Sequence, residues 1–198
     1  MHNVDYNIKE QNKIIIENTL KMLKRRNSIE SIDDIIDKIK DYNNQIYEFE
    51  ELNNIFSVNI IHAKISSISQ GSTIDDYLLN NINIHKIIII KEITKKVIKD
   101  IVSSYKNVEL FLVNELLEDK PSNIFMSEHQ LLGQEQKIEL LNTFSEKDLS
   151  TILVTDMMSR YYNAKVGDIF RIIRPSITSG KNICYRRVIV GSWDILFS

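Results

Sequence analysis

Residues 165–190 read KVGDIFRIIRPSITSGKNICYRRVIV, and the punctuation of this stretch decides how the C-terminal part of the chain folds. Gly167-Asp168 is a reversal, because glycine reaches positive φ without a Cβ penalty. Ile169, Phe170, Ile172 and Ile173 follow as a β-branched and aromatic run, the composition of a strand packed on both faces. Arg174-Pro175-Ser176 is expected to end that strand, since proline cannot donate to a ladder and serine bonds its own backbone. Ser179-Gly180-Lys181 supplies the next turn, and Ile183, Tyr185, Val188 and Ile189 continue as a second strand. Arg171, Arg174, Lys181, Arg186 and Arg187 crowd around the pair. The expectation is a basic β-hairpin.

The chain has 198 residues, enough for one large domain or two small ones with separate cores. Charged residues make up 26% and hydrophobic residues 43%, an ordinary balance for a globular protein. A net charge of −2 argues against wholesale nucleic-acid binding, although it permits a local basic face. Alanine occurs only at Ala63 and Ala164, while Ile, Asn and Lys dominate, a bias in keeping with an AT-rich genome. Cys184 is the single cysteine, so no internal disulfide forms; a half-buried thiol inside a strand is expected there. His2, His62, His85 and His129 are scattered without metal-ligand spacing, and no metal or cofactor is expected. The polar start MHNVDYNIKEQNK is not a signal peptide, and no apolar run approaches the roughly 18 residues of a membrane span. An intracellular, soluble protein is expected.

Outward from the hairpin, the architecture reads as α+β. Ile8, Ile15, Thr19, Met22 and Leu23 recur at helical spacing from Asn7 to Arg26, and Asn27-Ser28 breaks the pattern. Ser31-Ile32-Asp33-Asp34 opens a second helix whose stripe is Ile32, Ile35, Ile36, Ile39 and Tyr42. Val58 to Ile65 reads as a strand, with a short helix from Thr73 or Asp75 through Leu79. Ile87-Ile88-Ile89-Ile90 is the signature of a central strand buried on both faces. Thr94 is placed as N-cap of a helix from Lys95 to Ser104 that turns Val97, Ile98, Ile101 and Val102 inward, and Val108 to Val113 is the next strand. Strand, helix, strand at this length is a βαβ unit with parallel pairing. NELLEDKPSN, residues 114–123, reads as an acidic linker. It separates an N-terminal α/β domain (1–118; two helices, then a partly parallel sheet) from a small C-terminal α/β domain (119–198). Helices from Gln134 to Phe144 and from Thr155 to Tyr162 precede the hairpin.

No P-loop, GxGxxG, GxSxG or HExxH is present. For a metal-dependent nuclease the best carboxylate set is Glu118-Asp119-Lys120 with Asp100 or Glu109 upstream, where a cation would activate water. The N-terminus of the Lys95 helix, with Thr94, Lys95 and Lys96, directs unpaired N–H groups outward and suits a phosphate, as Lys24-Arg25-Arg26 could also do. The basic hairpin admits two readings: RNA or DNA binding by phosphate pairing and stacking, or docking on an acidic protein partner through arginine forks.

Asp156, Arg160-Tyr161-Tyr162, Lys165, Gly167, Ile172-Ile173-Arg174-Pro175-Ser176, Thr178, Gly180 and Tyr185-Arg186 fall in the order and spacing of one small RNA polymerase subunit. The chain resembles that subunit, which the eukaryotic nuclear polymerases share (fifth by size in polymerase II) and which has an archaeal RNA polymerase counterpart. Glu128-His129, Leu132 and Lys137 through Leu141 fit the same family upstream, and the resemblance fades before Ile124. It implies a non-catalytic subunit of a DNA-directed RNA polymerase with no small-molecule substrate. Residues 1–118 would form a jaw-like domain near downstream duplex DNA, with Thr94, Lys95 and Lys96 closest to it. Residues 119–198 would form an assembly domain docking on the largest subunit through Arg160, Lys165, Arg174, Thr178, Gly180, Tyr185 and Arg186, some of these serving the fold and some the contact. The family pattern has Pro where Met157 and Ser127 stand, Gly at Asn163 and a basic residue at Val166. Asn163 can hold the left-handed backbone, whereas Val166 removes a charge. The apolar tail after Gly191, with Trp193, Ile195, Leu196 and Phe197, extends past the usual end. Such drift points to a divergent polymerase, from a large DNA virus or an AT-rich protist, located in the nucleus, the host cytoplasm or a virion accordingly.

Overall fold

A computed structural model describes residues 7–176 and 180–193. The chain divides into two compact units, residues 1–119 and 120–198. The first begins with α1 (Ile8–Arg25), whose N-terminus is closed by a capping box. Asn7 Oδ1 accepts from the Glu10 amide at 2.9 Å, and the Glu10 carboxylate accepts from the Asn7 amide at 3.2 Å. Ile15, Thr19, Met22 and Leu23 are buried as the spacing predicts and Ile16 and Leu20 join them, but Ile8 is exposed at the helix start. Asn27 ends the helix in the left-handed region, at φ 56.

The second helix, α2 (Asp33–Lys38), is shorter than its stripe suggested. Only Ile35 of α2 is buried, and the chain turns extended at Ile39. A hairpin that the sequence reading missed follows: β1 (Ile46–Glu51) pairs antiparallel with β2 (Asn54–Ile65). Leu52 and Asn53 join the strands with φ of 49 and 61, a pair of positive values that matches the right-handed strand twist. Tyr47 and Phe49 point into the core, while Glu48 and Glu50 alternate outward. The acidic cluster there is therefore the wet face of a strand.

Next come α3 (Thr73–Leu79), β3 (His85–Ile93), α4 (Lys95–Ser104) and β4 (Val108–Leu112). Sheet order is β1-β2-β3-β4, with β2–β3 and β3–β4 parallel. The β3-α4-β4 step is the expected β-α-β crossover, and β2-α3-β3 adds a second one. Ile87 through Ile90 on the interior strand β3 are each 0% exposed, so the four-isoleucine run forms the middle of this core. On α4, Val97, Ile98 and Ile101 are buried but Val102 is 51% exposed, which corrects the expected stripe. The acidic stretch after β4 is not simply a solvated linker: it opens with α5 (Val113–Leu116), where Val113 and Leu116 are buried. Asn18 Nδ2 donates to the Leu116 carbonyl at 2.9 Å and so ties this turn back to α1.

The second unit contains β5 (Glu128–Leu131), α6 (Gln134–Thr143), β6 (Ser150–Leu153), α7 (Met157–Tyr161), β7 (Ile169–Ser176) and β8 (Gly180–Ile189). Sheet order is β5-β7-β8-β6; only β6–β8 is parallel. Strands β5 and β6 had no counterpart in the sequence reading. Ile152, Ala164, Phe170, Ile172 and Val188 form the core on one sheet face. Strand β7 does not stop before Pro175: its ladder with β8 runs from Ile169↔Arg187 to Ser176↔Gly180. Thr178 and the tail residues Ile195, Leu196 and Phe197 lie outside the described residues.

Candidate docking face

Two turns set the hairpin. Asn163 has φ 51, Gly167 φ 92 and Gly180 φ 72, so the asparagine does adopt the backbone for which the family pattern has glycine. At the Gly167 turn the Asp168 amide donates to the Lys165 carbonyl at 2.9 Å, and the Lys165 amide donates to Asp168 Oδ2 at 2.7 Å. Lys165 itself is exposed, with Nζ 2.5 Å from Asn163 Oδ1.

Because strand side chains alternate, the basic residues that crowd together in sequence separate onto two faces. Arg174 and Arg186 share a face with Phe170 and Ile172, and His129 joins them from β5 opposite Ile172. Arg171, Lys181, Tyr185 and Arg187 lie on the other face. Arg187 is paired there with Glu146 at 3.3 Å. On the first face Arg174 is exposed and Arg186 half-buried, and among the described residues neither has a carboxylate at ion-pair distance. His129 packs edge-on against Phe170, with centroids 5.9 Å apart. Its Nδ1 lies 2.7 Å from the Ser127 carbonyl; a carbonyl only accepts, so Nδ1 carries the proton. Burial holds this imidazole below the usual histidine range, against the Ser127 bond and Asp156 and with help from Arg186 and Arg174. The face therefore presents its cations beside a ring kept neutral.

Arg160 sits elsewhere. It is 9% exposed, donates from Nε to the Thr155 carbonyl at 3.0 Å, and lies over the Trp193 ring at 5.8 Å. Among the expected residues it belongs with those that build the fold. Tyr185 is half-buried beside an open groove of about 370 Å³ between α6 and the hairpin, lined also by Gln136, Glu139, Leu140 and Arg171. Arg171 is the residue that sequence reasoning left without a role. Its Nε is buried and has no hydrogen-bond partner. The available signal was its odd-numbered place in a strand whose even-numbered positions face the core.

In the first unit, Thr94 is the N-cap residue of α4 by position, but its hydroxyl donates to the Ser66 carbonyl at 3.3 Å instead of capping the helix. Lys95 and Lys96 are exposed, and the first turn of α4 holds no acidic residue. Lys24-Arg25-Arg26 is not a free cationic end. Arg25 forks onto Asp119 at 2.5 and 2.9 Å, and Arg26 onto Glu109 at 2.7 and 2.8 Å. His85 Nε2 donates to Glu109 Oε1 at 2.6 Å. Burial raises the Glu109 pKa, but the His85 bond and the Arg26 guanidinium outweigh it and hold the carboxyl at about 2. Two of the four carboxylates considered for a nuclease centre, Glu109 and Asp119, are thus occupied by arginine. Among the described residues no three metal-ligating side chains come together.

The second unit is a small mixed-sheet domain, and residues 121–188 match the family described as RNA polymerase Rpb5, C-terminal domain. Parts of the chain are also similar to RNA polymerase subunits of a virus and of eukaryotes. It is 34% identical to DNA-directed RNA polymerase subunit 5 of Acanthamoeba polyphaga mimivirus over 137 residues, 68% of this chain and 66% of that one. It is 36% identical over 97 residues to DNA-directed RNA polymerases I, II, and III subunit RPABC1 of Caenorhabditis elegans, 48% of this chain and 46% of that one. The Dictyostelium discoideum counterpart is 37% identical over 81 residues, 40% of this chain and 41% of that one. The chain thus spans just under two thirds of the viral relative and about half or less of the cellular ones. A divergent sequence with a viral relative agrees with the drift noted above.

Proposed function

We propose that this chain is a non-catalytic subunit of a multisubunit DNA-directed RNA polymerase, working inside the cell in transcription, with the nucleotide chemistry on other subunits. Its second unit docks on the largest subunit through the face bearing Arg174 and Arg186. The observation that carries this reading is the Rpb5 C-terminal domain match together with two guanidinium groups that have no carboxylate partner among the described residues. A planar guanidinium left open at a surface is suited to a bidentate bond with a partner's carboxylate. Lys165 and Gly180 bound the same hairpin. The first unit lies beside downstream duplex DNA with Thr94, Lys95 and Lys96 nearest the phosphates; an N-terminal turn free of acidic side chains supports that placement.

Charge reversal tests the docking. Arg174→Glu with Arg186→Glu lowers recovery of the chain with the largest subunit, while the isolated variant keeps its native circular dichroism and melting. Undiminished recovery would refute the assignment of this face. The nuclease alternative is disfavoured by the arginine forks on Glu109 and Asp119. Mg²⁺-dependent DNA cleavage by the pure chain would revive it.

A further inference from the structure

The β7–β8 hairpin has two long edges, and the chain treats them differently. On β8, the Val188 amide donates to the Asp168 carbonyl at 2.7 Å, and the Val188 carbonyl accepts from the Gly167 amide at 2.8 Å. The Ile189 carbonyl instead accepts from the Val154 amide at 2.8 Å, on the β6 side. Even-numbered residues of β8 therefore turn their backbone groups to β7, and odd-numbered ones turn outward. The β7–β8 register carries no shift from Arg187 to Gly180. Ile183 and Tyr185 thus face outward, yet β6 begins only at Ser150↔Arg186. Beyond that rung no strand is paired with this side of β8 among the described residues, and Ile183 is 43% exposed.

The opposite edge is closed. The Ile169 carbonyl accepts from the Leu132 amide at 2.9 Å, so odd-numbered residues of β7 face β5. β5 ends at Glu128↔Ile173, and the next outward-facing residue is Pro175. Proline costs the hairpin no bond at that position, because its nitrogen points away from β8. It leaves no amide for an added strand, a common protection of sheet edges. No such guard stands at Ile183 or Tyr185.

The surroundings of the open edge specify its occupant. Ile183 and Tyr185 share their face with Arg171, whose buried Nε lacks a partner at the rim of the α6 groove. Lys181 and Arg186 flank the edge, and among the described residues Glu139 is the one carboxylate lining that groove. We propose that the outer edge of β8 at Ile183–Tyr185 receives an extended, acidic segment of the partner subunit as an added strand. An apolar side chain of that segment covers Ile183, and a carboxylate two residues along enters the groove to meet Arg171. Backbone bonds supply the grip and the alternating side chains the selection. The inference rests on the reading of this chain as a docked subunit and names the mode of that docking.

Hydrogen–deuterium exchange at single-amide resolution tests it, on the full chain alone and within the purified polymerase. The Ile183 and Tyr185 amides are expected to slow by roughly tenfold or more on assembly, as opening of the added strand becomes rate-limiting. Cys184 and Arg186, bonded to β7, stay protected in both states and report that the hairpin is intact. A complex that retains the chain with Ile183 and Tyr185 exchanging as in the free protein overturns strand addition alone. A purified polymerase that lacks the chain overturns the docked-subunit reading on which it rests.

Discussion

Arg26 grips Glu109 with both prongs of its guanidinium, at 2.7 and 2.8 Å, across 83 residues of sequence. This pair fastens the end of α1 to β4, and only 6% of the Arg26 side chain and 14% of the Glu109 side chain are exposed. Removing one partner strands the other charge in a poorly solvated place. Arg26→Ala is therefore expected to destabilise the first unit by about 3–5 kcal/mol, measured by urea unfolding. A loss below about 1 kcal/mol would show that the pair behaves as a surface contact.

Acid should find the same site. The Glu109 carboxyl titrates at about 2 when folded, against 4.5 for a free glutamate. A depressed folded pKa contributes stability that is fully present above the unfolded value and is lost as pH falls through the folded one. Stability is thus expected to decline between about pH 4.5 and pH 2. In Glu109→Gln that part of the decline disappears, because the variant lacks the titrating group. An unchanged acid profile in the variant would contradict the assignment.

The start of the tail is held by a close approach. A Cβ at Gly191 would stand 2.5 Å from Thr155 Oγ1 and 2.9 Å from Leu153 Cβ. Thr155 Oγ1 also donates to the Ser192 carbonyl at 3.1 Å. Gly191→Ala is expected to cost about 1–3 kcal/mol from overpacking, read as a lower melting temperature. A melting temperature equal to that of the parent would show that the tail shifts freely.

Asn163 tests a departure from the family pattern. At φ 51 an asparagine carries a strain that glycine would not. Asn163→Gly should change stability by no more than about 0.5 kcal/mol, whereas a β-branched Asn163→Val should lose more than about 1 kcal/mol. Equal midpoints in urea for both variants would remove the left-handed turn from the account.

If Lys95 and Lys96 contact DNA phosphates, the assembled polymerase carrying Lys95→Ala and Lys96→Ala should show a shallower salt dependence of duplex binding. Two lost contacts lower the slope of log K against log salt by about 1.8. An unchanged slope would place the α4 terminus away from the duplex.

Much of the fold was legible in the sequence because its signals were strong and local. Ile87–Ile90 could only be a buried strand, and Thr94 marked the start of α4 to the residue. The strands that escaped notice were short or disguised. Ile46–Glu51 alternates aromatic and acidic residues, so its charges drew attention away from its period of two. Glu128–Leu131 and Ser150–Leu153 have four residues each, and their pairing with β7 and β8 is set by tertiary contacts rather than local pattern. The hairpin was visible, but its division into two faces required the register. Pro175 read as a stop until the direction of its nitrogen was known, and the arginine forks on Glu109 and Asp119 join residues too distant for any motif.

The central claim is that this chain is a polymerase subunit held by its second unit. Affinity purification of the tagged full chain from its native source, with mass spectrometry of the intact complex, tests it most directly. The expected result is a stoichiometric complex containing the two largest polymerase subunits, lost when Arg174 and Arg186 are changed to glutamate. Recovery of the chain alone, or with partners that include no polymerase subunit, would contradict it.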